Sequence, residues 1–272
     1  MNFANDYSDG IRGTDEFRSG PPRLTGGGKA NPKLVLAAAA ICFALAGIFG
    51  FVLVALSGAW WLLAVGAGAI VAGWFYTGGK HPYGYLGLGE VFVLIFFGYV
   101  ATVGTVYTQT LTMPYLAWIA ATGIGLIACA LLMINNIRDI PTDRLSGKRT
   151  LAVRLGEKRS RWAYFLLLLI PFLLLTIGFY AEYPIMLCGF ALLPWARIIS
   201  APVLRGAKGK DLIAALRQTG FYEIGYALII TIGILVSEFI GHGALIGWSI
   251  TAISLISWAT FEFSTFTKRN RK

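Results

Sequence analysis

Two stretches of this 272-residue chain carry side chains whose types and spacing can do chemistry together. The longer, residues 135–150, reads NNIRDIPTDRLSGKRT and sets Asp139 and Asp143 four apart among Arg138, Arg144, Lys148 and Arg149. The other opens the chain as MNFANDYSD, where Asn5 and Asp9 stand one helical turn apart and would share a face. A polar loop rich in Gly, Pro and Arg follows it at 12–33. Each stretch thus places oxygen ligands beside cations. Mg²⁺ takes oxygen ligands and usually shares its shell between one or two carboxylates and substrate phosphates. Arg and Lys then hold the remaining phosphate oxygens. Taken singly, the first stretch reads equally well as a juxtamembrane loop of mixed charge, and the second as a cap or turn. The repetition of the arrangement favours function.

The elements that must position these groups are membrane helices. The chain is 57% hydrophobic and 13% charged, against about 25% charged residues in a soluble domain. That much apolar surface needs lipid as its solvent. Eight apolar runs, at about 34–57, 60–76, 88–108, 114–137, 162–181, 184–199, 220–239 and 245–263, each approach the length of a spanning helix. All 23 Lys and Arg fall in the segments 12–33, 80, 138–161, 197–217 and 268–272, and the alternate connections hold none. By the positive-inside rule those charged segments face the cytoplasm. The net charge of +10 is therefore a topology signal, and nucleic acid is set aside as a partner. Four spans separate the two acidic stretches, so both lie on one membrane face and can meet across a bundle. The opening residues lack a charged n-region and an apolar h-region, so no signal peptide is expected there. Its three Cys lie singly inside apolar runs, which excludes a disulfide framework or a zinc site.

Between the second and third runs, YTGGKHPY spaces Tyr76 and Lys80 four apart in a turn built by Gly78, Gly79 and Pro82. A lone Lys at a helix end ordinarily snorkels to the headgroups. Glu90 sits just inside the next run, where an acid is costly without a partner. Pro141 lies between Asp139 and Asp143 and disfavours a continuous helix there, so these two carboxylates are expected to converge from a turn. Together the groups suit a diphosphate on a greasy tail, its head at the charged mouth and its chain among the helices. Neutralising the diphosphate lets an allylic C–O bond ionise, and an apolar lining shields the carbocation from water.

NDYSDGIRGTD (5–15), YTGGKHPYGYLGLGE (76–90) and NNIRDIPTDRLSGKRTLAVRLG (135–156) together resemble the UbiA-type intramembrane aromatic prenyltransferases. The resemblance covers about 1–240. It is strongest to those members that act on 1,4-dihydroxy-2-naphthoate on the way to menaquinone. It implies an all-α, polytopic transmembrane helix bundle of about eight complete spans, forming a single domain over 1–272. It also implies Mg²⁺, two ions with the diphosphate, held by Asn5, Asp9, Asp139 and Asp143, with Asp6 and Asp15 as further candidates. Asp9, Asp139, Asp143 and Lys80 would be catalytic. Tyr76, Lys80, Arg138, Lys148 and Arg149 would grip the polyprenyl diphosphate, and Asn135 and Asn136 would meet the aromatic acceptor. The implied reaction prenylates the naphthoate at its carboxylate-bearing carbon with loss of CO₂. The implied setting is the lipid bilayer of the plasma membrane, with the mouth facing the cytoplasm and no obligate protein partner.

The family's first motif, NDxxDxxxD, would end here at Gly13, with Asp15 the nearest acid. The family has nine spanning helices, and its first motif ends the second of them. This chain begins at that motif, so nearly two helices are expected to be absent from it and the run at about 245–263 to be an addition. Two other readings stand beside this one: a UbiA-type enzyme for another acceptor, such as 4-hydroxybenzoate or homogentisate, and an ion-coupled transporter. A transporter would carry polar residues near mid-membrane and inverted repeats, whereas here the acids crowd one face.

The charge asymmetry predicts the outcome of cysteine labelling. In a background without the native cysteines, Ser146→Cys should react with an impermeant maleimide from the cytoplasmic side. Thr112→Cys should react only from the opposite side. Labelling of both from one side would refute the shared face of the two acidic stretches.

Overall fold

The computed structural model describes residues 1–14, 22–181 and 184–240, and the elements among them are all helical. A short α1 (Asn2–Ile11) precedes α2 (Pro32–Ser57) and α3 (Leu62–Phe75). A turn of 3₁₀ helix (Tyr83–Leu86) then leads into α4 (Gly89–Thr110), which carries a π-helical stretch at Leu94–Val100. Next come α5 (Tyr115–Leu145) and α6 (Leu151–Ala181), the latter broken at Gly156 (φ 75°, ψ 167°). A 3₁₀ segment (Pro184–Leu192) runs into α7 (Leu193–Leu204), and α8 (Asp211–Ile240) follows.

Seven of the eight expected apolar runs are thus helical. The eighth, at about 245–263, lies outside the described residues, as does Asp15. Four helices (α2, α4, α5 and α8) are long and apolar enough to cross a membrane, and α3 is a shorter apolar helix. The count of eight spans is therefore approximate, and the expected transmembrane helix bundle is what the structure shows.

Local sequence sets the helix ends. Asn31 Oδ1 accepts from the Lys33 N–H at 2.9 Å and caps α2, with Pro32 in the first turn. Gly58, at φ 70°, ends the same helix in the left-handed conformation that glycine adopts freely.

The bundle is organised around α5. Over half of its apolar window is buried (56%), against 11% for α2 and for α4. Its core face, including Ile127, Ala130, Met133, Ile134 and Ile137, packs on Tyr164, Leu168 and Phe172 of α6 and on Tyr222, Tyr226 and Ile230 of α8. On the other side α4 comes unusually close. A Cβ built on Gly98 would lie 2.9 Å from Ala121 O and 3.0 Å from Gly125 Cα. Small residues let membrane helices approach to backbone contact, where packing replaces the absent hydrophobic drive.

One expectation is overturned here. Asp139 and Asp143 do not converge from a turn, because α5 continues through Pro141 to Leu145. Pro141 lies in the exposed last turns of α5, where its missing N–H frees a single carbonyl. Membrane helices commonly tolerate proline in this way, because neighbouring groups satisfy the freed backbone. The two carboxylates therefore stand on one helical face.

The α4–α5 contact yields a stability prediction. Gly98→Leu should lower the unfolding temperature in detergent, at a cost of about 1–3 kcal/mol for overpacking. Gly104→Leu on the same helix, where an added Cβ meets nothing within 4 Å, should leave it nearly unchanged.

Candidate active site

Both acidic stretches open onto one cavity of about 770 Å³. α1 contributes Asn5, Asp6 and Asp9 to its wall. One face of α5 contributes Ala128, Leu131, Leu132, Asn135, Asp139 and Asp143, spaced at helical intervals. The structure thus brings together residues more than 120 positions apart. Tyr76, Thr77 and Tyr85 come from the connection after α3, Lys148 from the loop after α5, and Glu223 from α8. Among the described residues, helix α1 leans on the start of this connection. Thr77 Oγ1 donates to Asn5 Oδ1 at 3.0 Å, and Arg12 donates to the carbonyls of Thr77 and Gly79.

Asp9 is the most heavily engaged acid. Its side chain is 3% exposed and forms ion pairs with Lys148 Nζ at 3.1 Å and Arg23 Nη1 at 3.3 Å. Tyr85 Oη donates to its other oxygen at 2.7 Å. Lys148 Nζ also lies 4.8 Å from the centre of the Tyr85 ring, within cation–π range. Burial alone would lower the pKa of Lys148, but Asp9, then Tyr85 and Asp143, outweigh it and the net shift is upward. Burial, reinforced by the Asp9 carboxylate, raises the Tyr85 phenol. Both groups therefore remain donors at neutral pH.

The other acids are used differently. Asp6 accepts from the backbone N–H groups of Leu24 and Thr25, both at 2.8 Å, and fastens the loop after α1 over the cavity. Asp139 receives a two-pronged contact from its neighbour Arg138, at 2.7 and 2.6 Å. Among the described residues no three His, Cys, Asp or Glu side chains converge to hold an ion by themselves. The donor set still fits a hard divalent cation. Asn5, Asp9, Asp139 and Asp143 offer oxygens from two facing helices, and such a cation completes its shell with phosphate oxygens.

The expected site residues divide accordingly. Asn5, Asp6, Asp9, Tyr76, Asn135, Asp139, Asp143 and Lys148 line the cavity. Lys80 and Arg149 are exposed and do not line it. Arg138 is buried against Asp139, and Asn136 faces away, donating to Glu90 Oε1 at 3.2 Å. Glu90 thus has its partner, although its Oε2 is buried with no hydrogen bond. Sequence reasoning missed Arg23, Tyr85 and Glu223. Glu223 carried a readable signal, an acid inside the apolar run 220–239. Arg23 is one of five cations in its loop and Tyr85 one tyrosine among several, and no spacing rule singles them out.

Behind the charged mouth the cavity turns apolar. It shares Tyr76, Val93 and Phe97 with a second cavity of about 370 Å³ walled by Phe92 and Phe96. That one shares Ala46, Ile70 and Val100 with a third, of about 570 Å³, between α2, α3 and α4.

The model of the UbiA prenyltransferase family matches residues 1–222. The chain is 46% identical over 230 residues to the 1,4-dihydroxy-2-naphthoate octaprenyltransferase of Mycobacterium tuberculosis, covering 85% of this chain and 78% of that protein. It is 43% identical, over the same shares, to the Mycobacterium leprae protein of that name. The Escherichia coli protein of that name is 42% identical over 166 residues, covering 59% of this chain and 54% of its own length. No solved structure matches.

The role of Asp6 as a loop fastener can be measured. Asp6→Ala removes two hydrogen bonds to a buried carboxylate and should cost about 2 kcal/mol. It should also speed proteolysis within 22–31. Unchanged protection of that loop would show that Asp6 does not hold it.

Proposed function

Because the chain belongs to the UbiA prenyltransferase family, and so is a multi-pass membrane enzyme that transfers prenyl groups, we propose the following reaction for it. It moves a polyprenyl group from an allylic polyprenyl diphosphate to 1,4-dihydroxy-2-naphthoate, with loss of CO₂, giving demethylmenaquinol, the reduced form of demethylmenaquinone. The names of the relatives support the acceptor. The observation that carries the chemistry is the single cavity in which α1 and α5 face each other with their carboxylates, with apolar space adjoining it behind.

In this reading Asn5, Asp9, Asp139 and Asp143 would hold Mg²⁺, two ions together with the diphosphate, which would supply charge neutralisation for the leaving group. Lys148 and Arg23, already at the Asp9 carboxylate, supply cations for the diphosphate oxygens, and Tyr85 and Tyr76 supply phenolic donors. Lys80 and Arg149 draw the anion toward the mouth from the rim, and Arg138 fixes Asp139 until substrate binds. Val93, Phe97, Leu131 and Leu132 keep water from the allylic cation, and the faces of Phe97 and Tyr76 favour its charge. Asn135, one turn below Asp139, offers a polar contact to the acceptor. The adjoining apolar cavities suit the prenyl tail. The mouth faces the cytoplasm, and the membrane is the plasma membrane.

The test is turnover of a polyprenyl diphosphate with dihydroxynaphthoate or 4-hydroxybenzoate in membranes bearing the protein. Only the naphthoate should be prenylated, EDTA should abolish the reaction, and Mg²⁺ should restore it. Asp139→Asn or Asp143→Asn should lower kcat at least about a hundredfold, the scale of losing one strong transition-state charge contact. Lys148→Met should raise KM for the diphosphate and hardly move that for the acceptor. Wild-type turnover by Asp143→Asn at saturating Mg²⁺ would sink the metal–diphosphate assignment.

A further inference from the structure

Among the described residues, Glu223 is the one cavity acid that neither acidic motif contains. It lies in α8, within a stretch long and apolar enough to cross a membrane, and its side chain lines the same cavity as Asp139 and Asp143. Among the described residues it makes no hydrogen bond or ion pair. A carboxylate inside a spanning helix is costly and persists where it has work to do.

Its depth separates it from the diphosphate head. α8 starts at the mouth, since Lys208 in the loop before it pairs with Glu157 just beyond the loop that carries Lys148. α8 therefore runs antiparallel to α5. The helices touch where a Cβ on Gly123 would fall 2.4 Å from Tyr226 Oη. Glu223 is about one turn nearer the mouth than Tyr226, which puts it below Asn135. Ala128, on the same cavity wall, is eleven residues below Asp139, about 16 Å of helix. Helical side chains lean toward the helix N-terminus, so the Glu223 carboxyl is directed toward the mouth from below Asn135, and both line the same cavity. The surrounding wall (Ala128, Leu131, Leu132, Phe97) is apolar.

We propose that Glu223 is a catalytic residue that accepts the phenolic proton of the aromatic acceptor. This inference rests on the prenyl-transfer reading above. A phenol with a pKa near 10 is almost wholly neutral at pH 7, and its ring is then a weak nucleophile. A carboxylate held at the hydroxyl next to the attacking carbon acts as a general base. The O–H proton passes to a Glu223 oxygen, and the ring carbon's electron pair forms the C–C bond to the prenyl carbon. The C–O bond of the prenyl diphosphate breaks, its pair leaving with the diphosphate. The carboxylate then departs as CO₂, its bonding pair returns to the ring, and Glu223 gives the proton back to the ring oxygen. Protons and electrons balance without a further reactant.

The test compares Glu223→Gln and Glu223→Asp with wild type, as full chains in lipid nanodiscs with Mg²⁺, dihydroxynaphthoate and a polyprenyl diphosphate, across pH. Glu223→Gln should lower kcat at pH 7 at least about a hundredfold, while the Kd for the diphosphate moves less than about threefold. Its defect should shrink as the pH rises and solvent ionises the acceptor, about tenfold per unit below the phenol pKa. Glu223→Asp, which keeps the carboxylate, should retain more activity. Wild-type kcat in Glu223→Gln, or a defect constant across pH, would overturn the role of Glu223 while wild-type turnover kept the transferase reading intact. Absence of any prenylated naphthoate from the wild-type chain would instead overturn that reading, and the role of Glu223 with it.

Discussion

The Asp9 carboxylate is almost fully withdrawn from solvent at the edge of a lipid-facing bundle. An ion in that position is tolerable only with close partners. Among the described residues Asp9 has three: Lys148, Arg23 and the Tyr85 hydroxyl, all within 3.3 Å. They arrive from three different segments, the loops after α5 and α1 and the turn before α4. Deleting one partner of a buried ion pair leaves an uncompensated charge, at about 3–5 kcal/mol. One carboxylate therefore ties α1, the loop that follows it and the mouth of α5 into a single assembly. Asp6 and Arg12 reinforce it through backbone groups. The tie is also a functional reserve, because the cations that neutralise Asp9 stand where a diphosphate would need them.

The rest of the bundle follows from keeping that charge at one end. Helices α2 and α4 show most of their surface outward, as lipid-facing helices do, while α5 is largely enclosed. Enclosure lets α5 carry two faces, one a core packed on α6 and α8, the other a cavity wall that changes from carboxylate to amide to aliphatic with depth. The gradient matches the substrates of the proposed reaction. Anionic oxygen belongs at the mouth, a ring with polar edges below it, and hydrocarbon beyond. The close approach of Gly98 to Gly125 brings α4 against α5, and with it Val93 and Phe97 to the cavity's apolar side.

The class of fold was legible in the sequence because lipid imposes simple demands. Apolar length alone marks spans, and the clustering of all basic residues on alternate segments orders them. The pairing of the two acidic stretches was also legible, since an even number of spans returns the chain to the same face. Asn5, Asp9, Asp139 and Asp143 could be singled out because carboxylates beside apolar runs are expensive and their four-residue spacing is local.

Only tertiary structure decided which cations serve which acids. Arg138, Arg149 and Lys80 looked equivalent to Lys148 in the sequence, yet Lys148 alone of the four lines the cavity, because a long side chain's destination depends on the fold around it. Asp6 looked like a ligand, and its geometry made it a clasp for backbone N–H groups. Pro141 read as a helix breaker by local propensity, and the packed neighbours of α5 overrode a penalty of about 3 kcal/mol. Glu223 was visible as an acid in an apolar run, but nothing local told which way it faced. That direction is set by the antiparallel packing of α8 on α5, a relation between helices that no single stretch of sequence encodes.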